Sequence, residues 1–319
     1  MAEIRELLEM LKGEDVVYVQ THNFPDHDAA GAAFALGELL ERSGRPARLI
    51  YEGEIQRASL AVMIDALGID LRHNSAWPLT ERDKIIVVDG CKGNKNVTDL
   101  IGDEIAVIDH HQVVSPEDVR FSDIRPDYGS CCTIIHTYFR DLGLEPSGHA
   151  ATAMMIGLSM DTSLMTRGVS PEDLDAYASL YGLADMQQVN SILRNQVQTR
   201  DLSFYKTALE NVQMNDTFAF CYFPDGCNQN LMGILGDFFL SLQEIDFVAL
   251  CARNGDKINF SLRSEQERWN ASEIIQIVLK DIGFGGGHVD RAGGMIQDVG
   301  LFEENKIRDG FARALGIPS

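Results

Sequence analysis

The sequence predicts an α/β protein with two domains: an N-terminal parallel-sheet domain with flanking helices and a smaller C-terminal α+β domain, with a cleft between them. The chain has 319 residues, more than the usual single-domain length of about 100–200 residues. Its first half alternates β-branched segments with helical patterns, the order of a parallel sheet covered by helices. Its last third has neighbouring strand patterns, and Asn254-Gly255 between two of them is typical of a tight hairpin.

Runs of β-branched residues predict four strands in the first half. They are Val16–Val19, Ala47–Tyr51, Lys84–Asp89 and Ile105–Asp109. The segments AAGAAFALGELLER and QRASLAVMIDALG have helical spacing after the first two strands, and further helices are expected after the other two. From about residue 147 to residue 198 the pattern is mostly helical, and SPEDLDAY begins one helix with a serine cap and a proline in the first turn.

The C-terminal part has a different pattern. Strands are predicted at Thr217–Phe223, Asp246–Arg253 and Lys257–Ser264. The helix ASEIIQIVLKDIG and a glycine-rich turn follow them. We therefore expect a first domain at residues 1–190, a helical connector at 191–212 and a second domain at 213–319.

Charge and cysteine content limit the class of partner and the compartment. The chain has 27 basic and 48 acidic residues, a net charge of −21, which argues against a long DNA or RNA surface because such binding neutralises many phosphates. A small phosphorylated ligand remains compatible. The six cysteines form no CxxC pair and the amino terminus does not resemble a signal peptide, so a reducing cytoplasm is expected. The acidic segment IRELLEML is too short to span a membrane.

Acidic and histidine side chains collect at the predicted strand ends and in loops. The eight candidates are His22, Asp26, Asp28, Asp89, Asp109, His110, His111 and Asp161. Ligands gather outside the carboxyl ends of strands in open α/β sheets, and carboxylates brought close together repel each other and require a cation. Imidazole and carboxylate donors without a thiolate favour Mn²⁺ or a similar ion, with Mg²⁺ or Co²⁺ as alternatives. Two ions bridged by one carboxylate could activate water at a phosphorus centre.

These motifs resemble those of the DHH superfamily of phosphoesterases. Asp109-His110-His111 follows an apolar strand, with THNFPDHDAAG and VVDG upstream and GLSMDTSLMTRG downstream, which accounts for all four N-terminal motifs of that superfamily. In the C-terminal part, NFSLRS and GFGGGHVDRAGG resemble the first type of DHH-associated domain. The resemblance spans nearly the whole chain and implies its fold and reaction class.

The resemblance also implies a role for each candidate residue. His22, Asp26 and Asp89 would hold one metal ion, and Asp28, Asp89, His110 and Asp161 the other, with Asp89 as the bridge. Asp109 would orient an imidazole, and His111 would donate to a phosphoryl oxygen or to the leaving group. The substrate end away from the scissile phosphate would be bound by Arg263, Ser264, Gly286, Gly287 and His288.

The implied activity is that of a bacterial oligoribonuclease. Such an enzyme hydrolyses short oligoribonucleotides, and the 3′ phosphate of adenosine 3′,5′-bisphosphate, through a metal-bridging hydroxide. A cyclic dinucleotide or its linear product is the alternative substrate. An inorganic pyrophosphatase, a long-strand exonuclease and a non-catalytic nucleotide sensor fit less well. The expected partners are short RNA or a mono- or dinucleotide, without long duplex nucleic acid or membrane, and the resemblance is compatible with a homodimer.

Four residues depart from the motifs of the superfamily. His27 replaces a small residue, so it could add a ligand, contact substrate or point to solvent. Cys131 and Cys132 follow Ser130 where relatives tend to have further serine, which leaves the role of that loop open. Phe284 replaces a glycine at the start of the glycine-rich motif.

The Ala-Ala-Gly segment after Asp28 consists of small residues. We expect it to let the next helix start close against the sheet.

Overall fold

The computed structural model describes residues 4–195, 197–265 and 268–317. The chain divides into two compact units, Met1–Gln196 and Val197–Ser319. The predicted fold class is confirmed, because the first unit contains a parallel sheet with helices and the second a mixed sheet with helices. No helix in the described ranges has both the length and the apolar character that crossing a bilayer requires.

The first unit is built on six parallel strands. They are β1 (Val17–Thr21), β2 (Ala47–Tyr51), β3 (Leu71–His73), β4 (Lys84–Val88), β5 (Asp103–Asp109) and β6 (Phe121–Ile124). Their order across the sheet is β3-β2-β1-β4-β5-β6, with parallel pairing throughout. The chain moves outward from β1 to β3 and returns to the other side of β1. The crevice between β1 and β4 is therefore the switch point at which such sheets bind ligands.

Seven helices of this unit lie within the described residues. They are α1 (Ile4–Met10), α2 (His27–Arg42), α3 (Ala58–Leu67), α4 (Cys131–Leu142), α5 (Gly148–Asp161), α6 (Pro171–Tyr181) and α7 (Met186–Arg194). They share one large core with the sheet. Ser170 begins α6 with the predicted serine cap, in a capping box with Asp173.

One expectation for the first unit is wrong. No helix lies between β4 and β5 or between β5 and β6 in the described chain, and the first of these connections contains turn-forming Gly93 and Asn94. The first of these loops instead packs Cys91 and Val97 against the sheet face opposite the helices. The Ala-Ala-Gly segment shares the core with β1 and also approaches α5 closely, since a Cβ at Gly31 would lie 2.8 Å from the carbonyl oxygen of Ala153.

The second unit has a six-stranded mixed sheet. Its elements are α8 (Leu202–Asn211), β7 (Gln213–Asn215), β8 (Phe218–Phe223), α9 (Gln229–Leu240), β9 (Phe247–Asn254), β10 (Lys257–Ser264), α10 (Ala271–Val278), β11 (Phe284–Gly287), β12 (Arg291–Ile296) and α11 (Glu304–Leu315). The strand order is β11-β12-β10-β9-β8-β7, and only the β8–β9 pair is parallel. Separate apolar clusters with α8 and α9, and with α10 and α11, cover its two faces.

Two predicted turns of this unit differ from the structure. Lys257 pairs with Asn254, so the β9–β10 turn consists of Gly255 and Asp256, with Gly255 at φ 68°, one residue later than predicted. The glycine-rich segment is not a turn, because its glycines form β11 and pair with β12. A Cβ at Gly285 would lie 2.6 Å from the Ile275 side chain. Glycine is used here for close packing inside a sheet as well as for backbone freedom.

Candidate active site

The acidic and histidine candidates of the first unit gather at the carboxyl ends of β1, β4 and β5. His22 follows β1, Asp89 follows β4, and Asp109 ends β5. Asp28 and Asp161 were expected at strand ends or in loops, which is wrong: Asp28 lies in the first turn of α2 and Asp161 is the last residue of α5. Helix ends thus supply part of the cluster.

Asp89 occupies the centre of this cluster. Its Oδ2 lies 3.7 Å from Nε2 of His22, and its Oδ1 lies 3.5 Å from Nε2 of His110. The residue is buried and has φ 55°, a left-handed conformation that costs a non-glycine residue about 1–3 kcal/mol and is concentrated at functional sites. Each oxygen therefore faces a different imidazole, as a bridging carboxylate requires.

Two sets of donor atoms extend from Asp89. On one side, Nε2 of His22 lies 3.8 Å from Oδ1 of Asp26. On the other, Nε2 of His110 lies 3.3 Å from Oδ2 of Asp161 and 3.9 Å from Oδ2 of Asp28. One set consists of His22, Asp26 and Asp89, and the other of Asp28, His110 and Asp161. Within each set, the donor atoms lie within 4.8 Å of one another.

These residues fit divalent ions in spacing and in chemistry. Nitrogen and oxygen donors bound at about 2.0–2.2 Å from one ion lie roughly 3–4 Å from each other. Oδ1 of Asp89 and Nε2 of His110 are buried without a hydrogen-bond partner among the described residues, and such atoms are costly unless a ligand binds them. His111 forms a further set with Asp89 and His110.

Backbone carbonyls orient the two imidazoles. Nδ1 of His110 donates to the carbonyl of Tyr128 over 3.1 Å, and Nδ1 of His22 donates to the carbonyl of Asn23 over 2.8 Å. A carbonyl oxygen only accepts, so Nδ1 carries the proton and Nε2 is the atom directed at the cluster. Burial opposes the charged form of His22, but Asp26 and Asp89 outweigh it and raise the pKa of His22 to about 10. A metal ion would replace the proton on Nε2.

Asp28 is held by the first backbone N–H groups of α4. Its two oxygens accept hydrogen bonds from Cys131 N at 2.6 Å and Cys132 N at 3.0 Å. The two cysteines therefore contribute through their backbone, and a helix N-terminus favours a carboxylate at this position. Burial, followed by the charges of Asp89 and Asp161, still raises the pKa of Asp28 well above its usual value. Bound cations would relieve that repulsion.

Asp173 supports this arrangement from α6, and the sequence motifs did not identify it. Its buried carboxylate accepts from Gly129 N at 2.8 Å and Ser170 N at 2.7 Å, and from the hydroxyl of Thr133. These bonds fix the turn that precedes α4. The capping sequence SPED was the visible signal, but it gave no sign that the capping aspartate also contacts residues about 40 positions earlier.

Asp109 orients the imidazole of His111. Oδ1 of Asp109 accepts from Nδ1 of His111 over 2.8 Å and from its backbone N–H over 3.1 Å. The side chain of His111 is 37% exposed, whereas that of Asp109 is fully buried. The pair has the form of a carboxylate that fixes a histidine tautomer beside a reaction centre.

His27 does not point to solvent. It is the first residue of α2 and is fully buried, so the solvent interpretation is wrong. His27 is also absent from the three candidate metal sets found among the described residues. Burial, followed by the charge of Arg57, lowers the pKa of His27 to about 4, so its ring is neutral at pH 7.

The predicted substrate-binding residues lie at one end of the second sheet. Arg263 pairs with Arg291, and Gly287 pairs with Ala292 on the strand between. Nε of Arg263 donates to Oδ1 of Asp237 over 2.5 Å. The guanidinium packs against α9 at Gly233, where a Cβ would lie 2.8 Å from Nη2. Asp237 and Gly233 were not identified from the sequence.

Backbone contacts hold the remaining residues of this group. Ser264 N donates to the carbonyl of Asp290 over 2.8 Å, and His288 N donates to that of Arg291 over 2.7 Å. Gly286 pairs with Gly293. Gly287 has φ 149°, and a Cβ there would lie 2.5 Å from the carbonyl oxygen of Arg291. Neighbouring strands are about 4.8 Å apart, so Arg263 and Gly287, which are separated by β12, lie roughly 10 Å apart.

Comparison with known proteins identifies both parts of the chain. Residues 16–158 match the DHH family, N-terminal domain, and residues 215–313 match the DHHA1 domain. The chain belongs to the DHH phosphoesterase superfamily. The resemblance of the sequence motifs is thereby confirmed at the level of the superfamily.

Individual DHH relatives are distant. An uncharacterized protein of Methanocaldococcus jannaschii is 30% identical over 89% of this chain and 58% of its own length. The cyclic-di-AMP phosphodiesterase PdeA of Listeria monocytogenes is 24% identical over 94% of this chain and 48% of its own length. The chain thus spans about half the length of these two relatives. The crystal structure of an exopolyphosphatase-related protein from Bacteroides fragilis has the same fold, with a TM-score of 0.78, 19% identity, and coverage of 98% of this chain and 95% of that one.

Proposed function

We propose that this protein is a two-metal phosphoesterase that hydrolyses short oligoribonucleotides and the 3′ phosphate of adenosine 3′,5′-bisphosphate. The observation that supports this most strongly is the position of Asp89, which faces His22 with one carboxylate oxygen and His110 with the other. Six residues would hold the two ions, with Asp89 shared: His22, Asp26, Asp28, Asp89, His110 and Asp161.

The donor set favours Mn²⁺ as the native ion. Two imidazoles and four carboxylates suit a first-row divalent ion, and the six positions include no thiolate. When bound, the ions would supply a water molecule of lowered pKa and positive charge for the phosphoryl oxygens. Mg²⁺ and Co²⁺ are the alternatives to compare.

The residues of the chain would perform the remaining steps. Asp109 holds His111 through Nδ1, and the ring, when protonated at both nitrogens, would donate a proton from Nε2 to the departing 3′ oxygen or to a phosphoryl oxygen. Cys131 and Cys132 hold Asp28 through their backbone N–H groups, so this ligand is in place before substrate binds. Positions fixed in advance avoid reorganisation during the reaction.

The second unit would bind the end of the substrate away from the scissile bond. Arg263 donates to Asp237 and, through Nη1, to the carbonyl of Leu262 at 3.0 Å, so its guanidinium is ordered. An ordered guanidinium can recognise a terminal phosphate with parallel hydrogen bonds. Ser264, Gly286, Gly287 and His288 would add donors at the same end of the sheet. A clamp on the terminal phosphate favours short substrates, as does the net charge of −21.

A cyclic dinucleotide is the second candidate substrate. It is supported by the similarity to PdeA, which is named a cyclic-di-AMP phosphodiesterase and is 24% identical to this chain. The proposed catalytic residues would be the same. The two candidate substrates differ in their ends: a linear oligoribonucleotide can present a terminal phosphate to Arg263, and a cyclic dinucleotide has none.

A panel of four substrates tests the proposal. The purified protein, supplied with Mn²⁺, is incubated separately with 5′-phosphorylated diadenylate, adenosine 3′,5′-bisphosphate, cyclic di-AMP and pyrophosphate. We expect turnover of the first two, loss of turnover with a chelator, and slower turnover of the cyclic compound. Faster turnover of cyclic di-AMP would support the second candidate, and no turnover of any phosphoester would overturn the proposal.

A further inference from the structure

Phe24 adopts a conformation that phenylalanine rarely has. Its φ is 55°, in the left-handed region, and 49% of the residue is exposed. Single exposed apolar residues are common and need no explanation. A bulky residue in the left-handed region, in contrast, is an outlier whose strain is retained where function requires it.

The loop between β2 and α3 holds Phe24 in this position. The backbone N–H of Phe24 donates to the carbonyl of Glu52 over 2.9 Å. A Cβ at Gly53 would lie 2.8 Å from the ring carbons, so the ring contacts the glycine backbone at a distance that other residues would not allow. One part of the ring is thereby supported, and the exposed remainder can contact a ligand.

The ring lies next to the proposed metal ligands. Phe24 stands between His22 and Asp26 in the loop that leaves β1, and β2 is the neighbour of β1 on the side away from β4. An aromatic ring here would meet the part of a substrate that extends from the metal centre toward β2.

Arg57 adds a positive charge on the same side. It is half-buried at the end of the β2–α3 loop, where it is the N-cap residue of α3. Its charge lies close enough to help lower the pKa of Asp26 and of His27. Within the described residues, no hydrogen bond or ion pair engages its guanidinium, so this cation can bind an anionic ligand.

We propose that Phe24 and Arg57 form a nucleotide-recognition subsite beside the metal centre. Phe24 stacks on the base of the nucleotide next to the scissile phosphate, and Arg57 binds a phosphate of that nucleotide. The inference rests on the proposed function and narrows its substrates to nucleotides rather than pyrophosphate or sugar phosphates. Stacking on one ring accepts any base, because every base has a π face.

The direct test compares two ligands that differ only in the base. Dissociation constants of AMP and ribose 5-phosphate are measured by calorimetry on the Mn²⁺-loaded protein and on Phe24→Leu, Phe24→Asn and Phe24→Trp. Phe24→Leu and Phe24→Asn should weaken AMP binding roughly 5- to 100-fold, the range of one lost stacking contact, and leave ribose 5-phosphate within about twofold. Phe24→Trp should retain the preference for AMP. Arg57→Gln should weaken both ligands by the same factor.

Controls separate stacking from loss of structure. Asparagine tolerates the left-handed conformation, so Phe24→Asn removes the ring without adding strain, and Mn²⁺-dependent thermal stabilisation reports on the metal ligands. Leu174, 58% exposed on α6, provides the control variant Leu174→Ala. Equal weakening of AMP and ribose 5-phosphate by Phe24→Asn, or no AMP preference in the native protein, would overturn the subsite.

Turnover of 5′-phosphorylated diadenylate is measured on the same samples. An AMP preference that depends on Phe24, in a protein that hydrolyses no phosphoester, would leave the subsite standing and refute the proposed function. If the protein hydrolyses diadenylate and neither Phe24→Leu nor Phe24→Asn changes the KM, the subsite is refuted and the proposed function stands.

Discussion

Oδ1 of Asp89 lies 3.5 Å from Nε2 of His110, and neither atom has a hydrogen-bond partner in the described part of the chain. The second oxygen of Asp89 lies 3.7 Å from Nε2 of His22. Divalent ions bound on the two sides of this carboxylate would use all four atoms as ligands. The proposed activity depends on this arrangement.

Replacing Asp89 by asparagine should remove activity. Asp89→Asn keeps the size of the side chain but removes the charge that would bridge two ions. A bridging ligand supports several kcal/mol of transition-state stabilisation, so kcat for diadenylate should fall at least about 100-fold. Asp141→Asn, at a half-exposed carboxylate on α4, is the matched control and should retain activity. Full activity of Asp89→Asn would contradict the two-metal assignment.

The same substitution should affect stability in a metal-dependent way. Burial raises the pKa of Asp89 to about 8, so an ionised carboxylate at this position destabilises the metal-free fold. Without metal, Asp89→Asn should therefore unfold at a temperature no lower than the native protein. Mn²⁺ should raise the unfolding temperature of the native protein by several degrees and that of the variant much less. An equal rise in unfolding temperature in both proteins would show that Mn²⁺ binds at a site that does not include Asp89.

His111 should act on the leaving group. His111→Gln should lower kcat for diadenylate roughly 10²- to 10⁴-fold, the usual contribution of a general acid, with little change in Mn²⁺ affinity. Asp109→Asn should lower kcat in the same direction, because Nδ1 of His111 would lose its acceptor. The kcat for hydrolysis of a p-nitrophenyl phosphoester, whose leaving group needs no proton, should fall far less. Equal losses on both substrates would argue against proton donation.

Asp173 should stabilise the fold and the metal site together. Asp173→Ala removes an acceptor from Gly129 N and Thr133 Oγ1, so the free energy of unfolding should fall by about 2–4 kcal/mol. Mn²⁺ should also bind more weakly, since α4 begins at this turn and holds Asp28. Urea unfolding and Mn²⁺ titration measure the two effects. Asp175→Asn, an exposed neighbour paired with Arg140, should change neither.

The position of Arg263 should control substrate affinity. Arg263→Ala should raise KM for diadenylate roughly 10- to 100-fold with a smaller effect on kcat, since a charged contact to phosphate is lost. Gly233→Ala places a Cβ 2.8 Å from Nη2 of Arg263 and should raise KM in the same way by displacing the guanidinium. Gly310→Ala on α11 meets only an ordinary contact at 3.5 Å and serves as the control. A KM unchanged in Arg263→Ala would refute the clamp.

The sequence predicted four of the six strands of the first sheet, but not the short edge strands β3 and β6, and it predicted the gathering of polar residues at the strand ends. Parallel strands place their carboxyl ends at one edge, so His22, Asp89 and Asp109 could be expected to meet. Support from distant segments could not be read in the same way. Asp28 is held by amides more than 100 residues away, and Asp173 acts on a turn that precedes a different helix.

Predictions from local sequence patterns were wrong where contacts with distant residues determine the structure. Three consecutive glycines indicate a turn, but β11 is a strand because β12 pairs with it and Ile275 packs closely against Gly285. His27 is polar and follows a loop, yet it begins α2 on the buried side. The proposed role of Phe24 could not be predicted from the sequence, because it rests on a left-handed backbone conformation that phenylalanine disfavours.

Anomalous diffraction at the manganese edge, from crystals grown with Mn²⁺, tests the central claim most directly. We expect two peaks, one contacted by His22, Asp26 and Asp89 and the other by Asp28, Asp89, His110 and Asp161. A single peak, or two peaks that do not share Asp89, would contradict the bridging role from which the proposed activity follows.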